Sequence, residues 1–172
     1  SEMCIRDSPY GYTPFSFDIT EYVKAGEDNV ITVKVDHQTP SSRWYSGSGI
    51  YRSVDLTVMD KVHVGLNGTK IATPNLAKEK DGEVNMDIVT TVANEGKDAK
   101  EVTLVHTLRE KGKKDTVATV TTDKQSVAAG KTADIEAKLK VNQPKLWGLG
   151  EKNAHLYTCL LYTSPSPRDR SV

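Results

Sequence analysis

Asp134-Ile135-Glu136-Ala137-Lys138-Leu139-Lys140-Val141 places an apolar side chain at every second position and a charged one at each position between. Successive side chains of an extended strand point to opposite faces, so this run gives one dry face and one wetted face. The same period of two recurs along the chain. Val84 to Val92 carries Val84, Met86 and Ile88 in phase, and Val102 to Leu108 carries Val102, Leu104 and Leu108. Thr116 to Thr121 is a further strand candidate. Upstream, Val30 to Asp36 aligns Ile31, Val33 and Val35, and Tyr51 to Met59 aligns Val54, Leu56 and Val58. Short strands separated by Gly, Asn, Asp and Lys predict antiparallel sheets packed face to face. No long helical period is present. Thr20 to Gly26 reads as a single helical turn, with Thr20 as its cap and Gly26 in the left-handed closing position.

Two units follow from the spacing. Residues 63–158 hold about six or seven strands, the size of an immunoglobulin-like sandwich, but without its Cys-Trp-Cys signature. Residues 9–62 hold about three, too few to close a sandwich, and read as the last part of a larger domain. The fold class expected is therefore all-β, a partial jelly-roll (galactose-binding-like) sandwich followed by an immunoglobulin-like β-sandwich.

The chain ends have a different character. Ser1 to Ser8 can be encoded by TCGGAGATGTGTATAAGAGACAG, and the reverse complement, read one frame over, encodes Cys159-Leu160-Leu161-Tyr162-Thr163-Ser164-Pro165. Both strings resemble translated transposon adapter from sequencing-library preparation. On that resemblance residues 1–8 and 159–172 are set aside, both ends are cuts, and 9–158 is a fragment of a longer protein.

Both cysteines, Cys4 and Cys159, fall in the end segments. The remainder has no thiol for catalysis or zinc binding, and its redox compartment is open. The chain has 23 basic and 23 acidic residues, and the end segments remove three of each, so nothing points to a nucleic-acid partner. No apolar run is long enough to span a bilayer. His37, His63, His106 and His155 show no metal-ligand spacing, so neither a metal nor a cofactor is expected. His106 lies in phase with Leu104 and Leu108 and reads as a partly buried structural histidine. Asn67-Gly68-Thr69 has the form of a glycosylation sequon but reads as a turn. Arg109 to Asp115 reads as a charged hairpin tip.

The densest chemistry lies in Thr39-Pro40-Ser41-Ser42-Arg43-Trp44-Tyr45-Ser46-Gly47-Ser48-Gly49-Ile50-Tyr51-Arg52. Gly47 and Gly49 predict a sharply turned loop. An aromatic face beside guanidinium and hydroxyl donors is what sugar recognition uses. The plainer reading puts Trp44 and Tyr51 in the core and has Arg52 brace the loop on a carboxylate.

Arg43 to Val54 resembles the signature that ends the N-terminal jelly-roll domain of family-2 glycoside hydrolases, the beta-galactosidase group. Gly11-Tyr12-Thr13-Pro14-Phe15, Phe17 to Thr20 and Asn29 to Ile31 resemble that domain's preceding strands. Gln143-Pro144-Lys145-Leu146-Trp147 with Leu156-Tyr157-Thr158 resembles the end of its immunoglobulin-like domain. The resemblance implies a carbohydrate substrate and a retaining glycosidase as the parent, one that can form a homo-oligomer. It also implies a following catalytic barrel bearing two glutamates, which is a partner this chain lacks. The fragment itself is expected to have no catalytic residue and no activity, its carboxylates, such as Glu79, Glu83 and Asp87, being solvated charges. The loop is expected to lie at the rim of the site, with Arg43, Trp44 and Tyr45 nearest the substrate and Gln38 and Ser42 behind them. Ser41-Ser42-Arg43 carries no carboxylate, so the acidic sugar contact of some relatives is not expected. The compartment stays open between bacterial periplasm and cytoplasm. A sandwich-domain surface or adhesive protein, or a carbohydrate-binding protein without enzymatic activity, is the competing class. Against it, the two units do not repeat each other and the Arg-Trp-Tyr loop has no counterpart in the second.

Overall fold

The structure, a computed structural model, describes residues 12–37, 47–79, 81–150 and 153–164. The chain divides into two compact units between Asp55 and Leu56.

The second unit is a sandwich of strands β1 (Val62–Ala72), β2 (Glu83–Asn94), β3 (Lys100–Glu110), β4 (Thr116–Thr121), β5 (Gln125–Val127), β6 (Lys131–Asn142) and β7 (Tyr157–Ser164), with one helical turn, α1 (Leu76–Glu79). One sheet has the order β1-β2-β6; in the other β3 pairs with β4, β5 and β7. All pairings are antiparallel. The alternation expected in Val84–Val92, Val102–Leu108, Thr116–Thr121 and Asp134–Val141 is realised in β2, β3, β4 and β6.

The β2–β6 ladder runs without a break from Glu83↔Asn142 to Asn94↔Lys131. This register puts Ile88 beside Ala137 and Thr90 beside Ile135 on the inner face. Outside, it sets Lys140 Nζ 2.6 Å from Glu83 Oε1 and lets the Thr91 hydroxyl donate to Asp134 at 2.6 Å. A slip by one residue would exchange the two faces and bury Glu136, Lys138 and Lys140.

Inside, Ile88, Leu108, Ala137, Leu139 and Val141 form one buried cluster, and Val92, Val102, Leu104, Val127 and Ile135 a second. Each Val, Leu or Ile among them contributes about 1.5–3 kcal/mol by leaving water. Between the clusters lie two polar residues. Thr90 falls between Ile88 and Val92 on β2, and His106 between Leu104 and Leu108 on β3; both are fully buried. The Thr90 hydroxyl and both ring nitrogens of His106 lack a hydrogen-bond partner within the protein. His106 is thus more deeply buried than the sequence suggests, with Val120 and Leu161 as its neighbours along the sheet. Burial pushes its pKa below the ordinary histidine value, because charging the ring would strip the ion of water without a partner. Buried Asn94 is the contrast: its amide donates to the carbonyls of Asp98 (2.9 Å) and Val127 (2.8 Å) and accepts from Gly96 N–H (2.9 Å).

Four details depart from the sequence reading. Asn67-Gly68 is a bulge inside β1 rather than a turn between strands. The register jumps from Val64↔Val92 to Thr69↔Thr90, with Asn67 at φ 56. A Cβ on Gly68 would sit 2.7 Å from the Gly65 carbonyl oxygen, so the close approach requires glycine there. The cap of the Thr20–Gly26 turn is Asp18, whose carboxylate accepts from the Thr20 amide (2.9 Å) and hydroxyl (2.6 Å) and is thereby held below its ordinary pKa. Gly26 does close the turn, at φ 80. The sandwich runs through Ser164 rather than ending at Thr158, because Cys159 and Leu161 continue the inward phase of Tyr157 against the core.

The fourth departure is the largest. Among the described residues no strand precedes β1, so Val30–Asp36 and Tyr51–Met59 are not in ladders. Val30 is 88% exposed, Val54 77% and Val58 85%. Alternation fixes which side chains share a face, but a strand exists only where a neighbour takes its N–H and C=O groups.

Two expectations follow. A piece spanning residues 56–164 gives a cooperative thermal transition, whereas residues 9–62 alone aggregate or stay unfolded; a cooperative melt of the short piece contradicts the fold described. In the 56–164 piece, stability falls with acidification near neutrality. Above pH about 6.5 His106 is neutral whether folded or unfolded, and its contribution is complete. Below that, the unfolded chain takes up a proton that the buried ring refuses, and stability drops until the lowered folded-state pKa is reached. Melting temperatures measured from about pH 7.5 to about pH 5 decline in the wild type and stay flatter in His106→Leu; equal slopes contradict the assignment.

Candidate functional site

Gln38, Ser42, Arg43, Trp44 and Tyr45 lie outside the described residues. What the structure describes is the exit of their loop. Gly49, at φ 146, turns the chain into Ile50-Tyr51-Arg52. The Arg52 guanidinium carbon stands 5.1 Å from the centre of the Tyr51 ring, and Nη1 donates to the Tyr12 carbonyl at 3.5 Å. Tyr12 meets Tyr51 edge to face with ring centres 6.5 Å apart. Among the described residues Arg52 therefore braces the exit through a ring face and a carbonyl instead of a carboxylate. Tyr51 is 62% exposed and is no core residue. A cation on an exposed ring contributes about 0.5–1 kcal/mol, enough to bias the loop's exit but not to fold the unit.

A second constellation joins two stretches of the third family-like motif. The Tyr157 hydroxyl, at the start of β7, accepts the Lys145 backbone N–H at 2.8 Å, which pins the Pro144–Trp147 segment to the end of the sandwich. Lys145 Nζ lies 2.9 Å from Glu110 Oε1, and Lys113 Nζ lies 2.5 Å from Glu110 Oε2. The two ammonium groups hold the Glu110 carboxyl at a pKa of about 2, Lys113 acting more strongly than Lys145. The expected hairpin tip is thus built as a clasp: Lys113 N–H donates to the Glu110 carbonyl (3.0 Å) and Lys111 N–H to the Leu156 carbonyl (2.8 Å).

Under this clasp is a cavity of about 180 Å³ lined by Leu76, Val84, Met86, Leu108, Trp147 and Tyr157 among others. Its walls are largely apolar, so it suits an apolar group better than a hydroxyl-rich one. The sequence gives each stretch separately; what brings them together is the return of β7 beside β3, from Tyr157↔Glu110 to Ser164↔Thr103.

The remaining candidates are structural. His63 Nδ1 bonds to the Asp60 carbonyl at 2.7 Å. His155 lines the cavity. Glu79 receives the Asn75 side-chain amide. Glu83, Glu101 and Glu110 face lysines at 2.6, 3.5 and 2.5 Å. Among the described residues no group of His, Cys, Asp or Glu is arranged to hold a metal ion, and no helix is long and apolar enough to cross a membrane.

The architecture is that of an immunoglobulin-like sandwich module, with its chemistry confined to loops and ends. Residues 69–166, more than half of the chain, match the model of the glycosyl hydrolases family 2, and the chain belongs to that family. It is 38% identical over 151 residues to a beta-galactosidase of Bacteroides ovatus, covering 87% of this chain and 17% of that protein. It is 28% identical over 158 residues to a beta-glucuronidase of Formosa agariphila, covering 80% of this chain and 16% of that one. The chain thus spans less than a fifth of the length of these curated relatives. The crystal structure of a Bacteroides uniformis beta-glucuronidase shares the fold, with a TM-score of 0.51 at 20% identity over 60% of this chain and 12% of that one.

Proposed function

We propose that this chain is a non-catalytic part of a retaining glycosidase that hydrolyses O-glycosidic bonds of β-galactosides, with the catalytic barrel outside the chain. The observation that carries the reading is the 38% identity, over 87% of the chain, to a beta-galactosidase. Retention requires two carboxyl groups about 5 Å apart, one as acid/base and one as nucleophile, and no cofactor. Three of the described carboxylates, Glu83, Glu101 and Glu110, stand against lysines on the sandwich. The Lys113 and Lys145 ammonium groups hold the Glu110 carboxyl well below the usual carboxylate range, which does not suit a general acid.

The role left to the chain is to shape the rim of the site. Arg43, Trp44 and Tyr45 approach the sugar, with Gln38 and Ser42 behind them. The braced exit at Gly49, Tyr51 and Arg52 supports this, because a loop held at its foot presents its tip with less ordering cost.

The expected outcomes are distinct for fragment and parent. The chain alone, assayed with an aryl β-galactoside, gives no turnover above background; turnover by the chain sinks the non-catalytic reading. In the full-length enzyme Trp44→Ala lowers kcat/KM about fivefold, corresponding to roughly 1 kcal/mol of lost stacking, with the melt unchanged. Unchanged kcat/KM in both Trp44→Ala and Arg43→Ala makes the loop structural only.

A further inference from the structure

Asn67-Gly68 belongs neither to the core nor to the glycosidase reading. Between Val64↔Val92 and Thr69↔Thr90 the register leaves Gly65, Leu66, Asn67 and Gly68 facing a single β2 residue, Thr91, so no ladder partner holds them. Asn67 is exposed in this bulge, in the left-handed conformation that asparagine tolerates better than most residues. Gly68 follows it with no β-carbon to shield its backbone nitrogen. Asn67 is also the only asparagine of the chain that precedes a glycine. The others are held in place. Asn29, Asn75, Asn94 and Asn153 have their side chains in hydrogen bonds, and Asn85 and Asn142 lie in the β2–β6 ladder. Among the described residues no hydrogen bond holds the Asn67 side chain.

We propose that Asn67 is a site of spontaneous covalent modification in the folded protein, deamidating through a cyclic imide formed with the Gly68 backbone. The Gly68 nitrogen, giving up its proton to water or hydroxide, bonds to the side-chain carbonyl carbon of Asn67. The bond from that carbon to Nδ2 breaks, and the nitrogen leaves as ammonia with a proton from solvent. Water then opens the imide at either carbonyl, giving aspartate or isoaspartate; no oxidant or reductant is needed. Attack requires the Asn67 carbonyl unit to rotate, and the unpaired bulge leaves it free to do so. Asp81-Gly82, the other acid or amide of this type before a glycine, is placed differently. The Gly82 nitrogen donates to the Glu79 carbonyl at 2.9 Å and its carbonyl accepts from Gln143 at 2.7 Å, which fixes that turn, and a carboxylate is a poor electrophile. Asn67 and Gly68 lie outside both end segments, and the site is independent of the glycosidase reading.

The test incubates the whole 172-residue chain in mildly alkaline buffer, with and without urea, and follows released ammonia, charge and peptide masses. The folded wild type is expected to release up to one equivalent of ammonia and to gain a form focusing below the pI of about 6.9, because the neutral chain acquires one negative charge. Peptide mapping is expected to place the change at Asn67, as a mixture of aspartate and isoaspartate, at a rate about tenfold or more above that of any other asparagine. In water enriched in heavy oxygen the product carries the label, as ring opening requires. Asn67→Gln, whose longer side chain closes a five-membered ring with Gly68 no longer, is expected to release ammonia at least about tenfold more slowly. Asn67 that stays intact in the folded chain overturns the proposal, whether or not it reacts in urea. So does ammonia release from Asn67→Gln at the wild-type rate.

Discussion

The inner faces of β2 and β3 have to meet, and everything else in the sandwich is arranged around that contact. Ile88 packs in one cluster with Leu108, and Val92 in the other with Leu104. The two strands belong to different sheets, so these contacts hold the layers together where no backbone hydrogen bond can. β6 lies beside β2 with its register fixed residue by residue, and β4, β5 and β7 lie beside β3. At the middle of the contact sit Thr90 and His106, whose polar atoms find no partner in the protein. Burying such groups costs roughly 1–3 kcal/mol each, which the two flanking apolar clusters offset.

The period of two was enough to place β2, β3, β4 and β6 and to say which of their residues point inward, because those strands have both a neighbour and a covered face. It was not enough for Val30–Asp36 or Tyr51–Met59, where the same alternation occurs without a ladder. Alternation reports what a strand would bury, not whether a partner is at hand. The same limit explains the bulge at Gly68, which arises from how β1 meets β2, and the helical turn α1, where Asn75 reaches Glu83 and Asn85 across the fold. β7 ran past Thr158 because Cys159 and Leu161 keep the inward phase, and a sheet edge takes any segment with that pattern.

Of the candidate site, Arg43, Trp44 and Tyr45 lie outside the described residues, and what was legible in the sequence is the glycine turn at Gly49. The brace was misread: Arg52 engages Tyr51 and the Tyr12 carbonyl, a choice that depends on which backbone passes nearby. The clasp of Glu110, Lys113, Lys145 and Tyr157 was not legible at all, since it joins residues from a hairpin, a loop and a returning strand. Its chemistry is structural, as is that of the other lysine-paired glutamates.

The central structural claim is that the sandwich after Leu56 is folded around the β2–β3 contact while the alternating segments before β1 are unpaired. Amide hydrogen exchange of the whole chain tests it most directly. Strong, common protection is expected across Glu83–Asn94, Lys100–Glu110 and Lys131–Asn142, and rapid exchange across Val30–Asp36 and Tyr51–Met59. Protection of the upstream segments equal to that of β2 and β3 would contradict it.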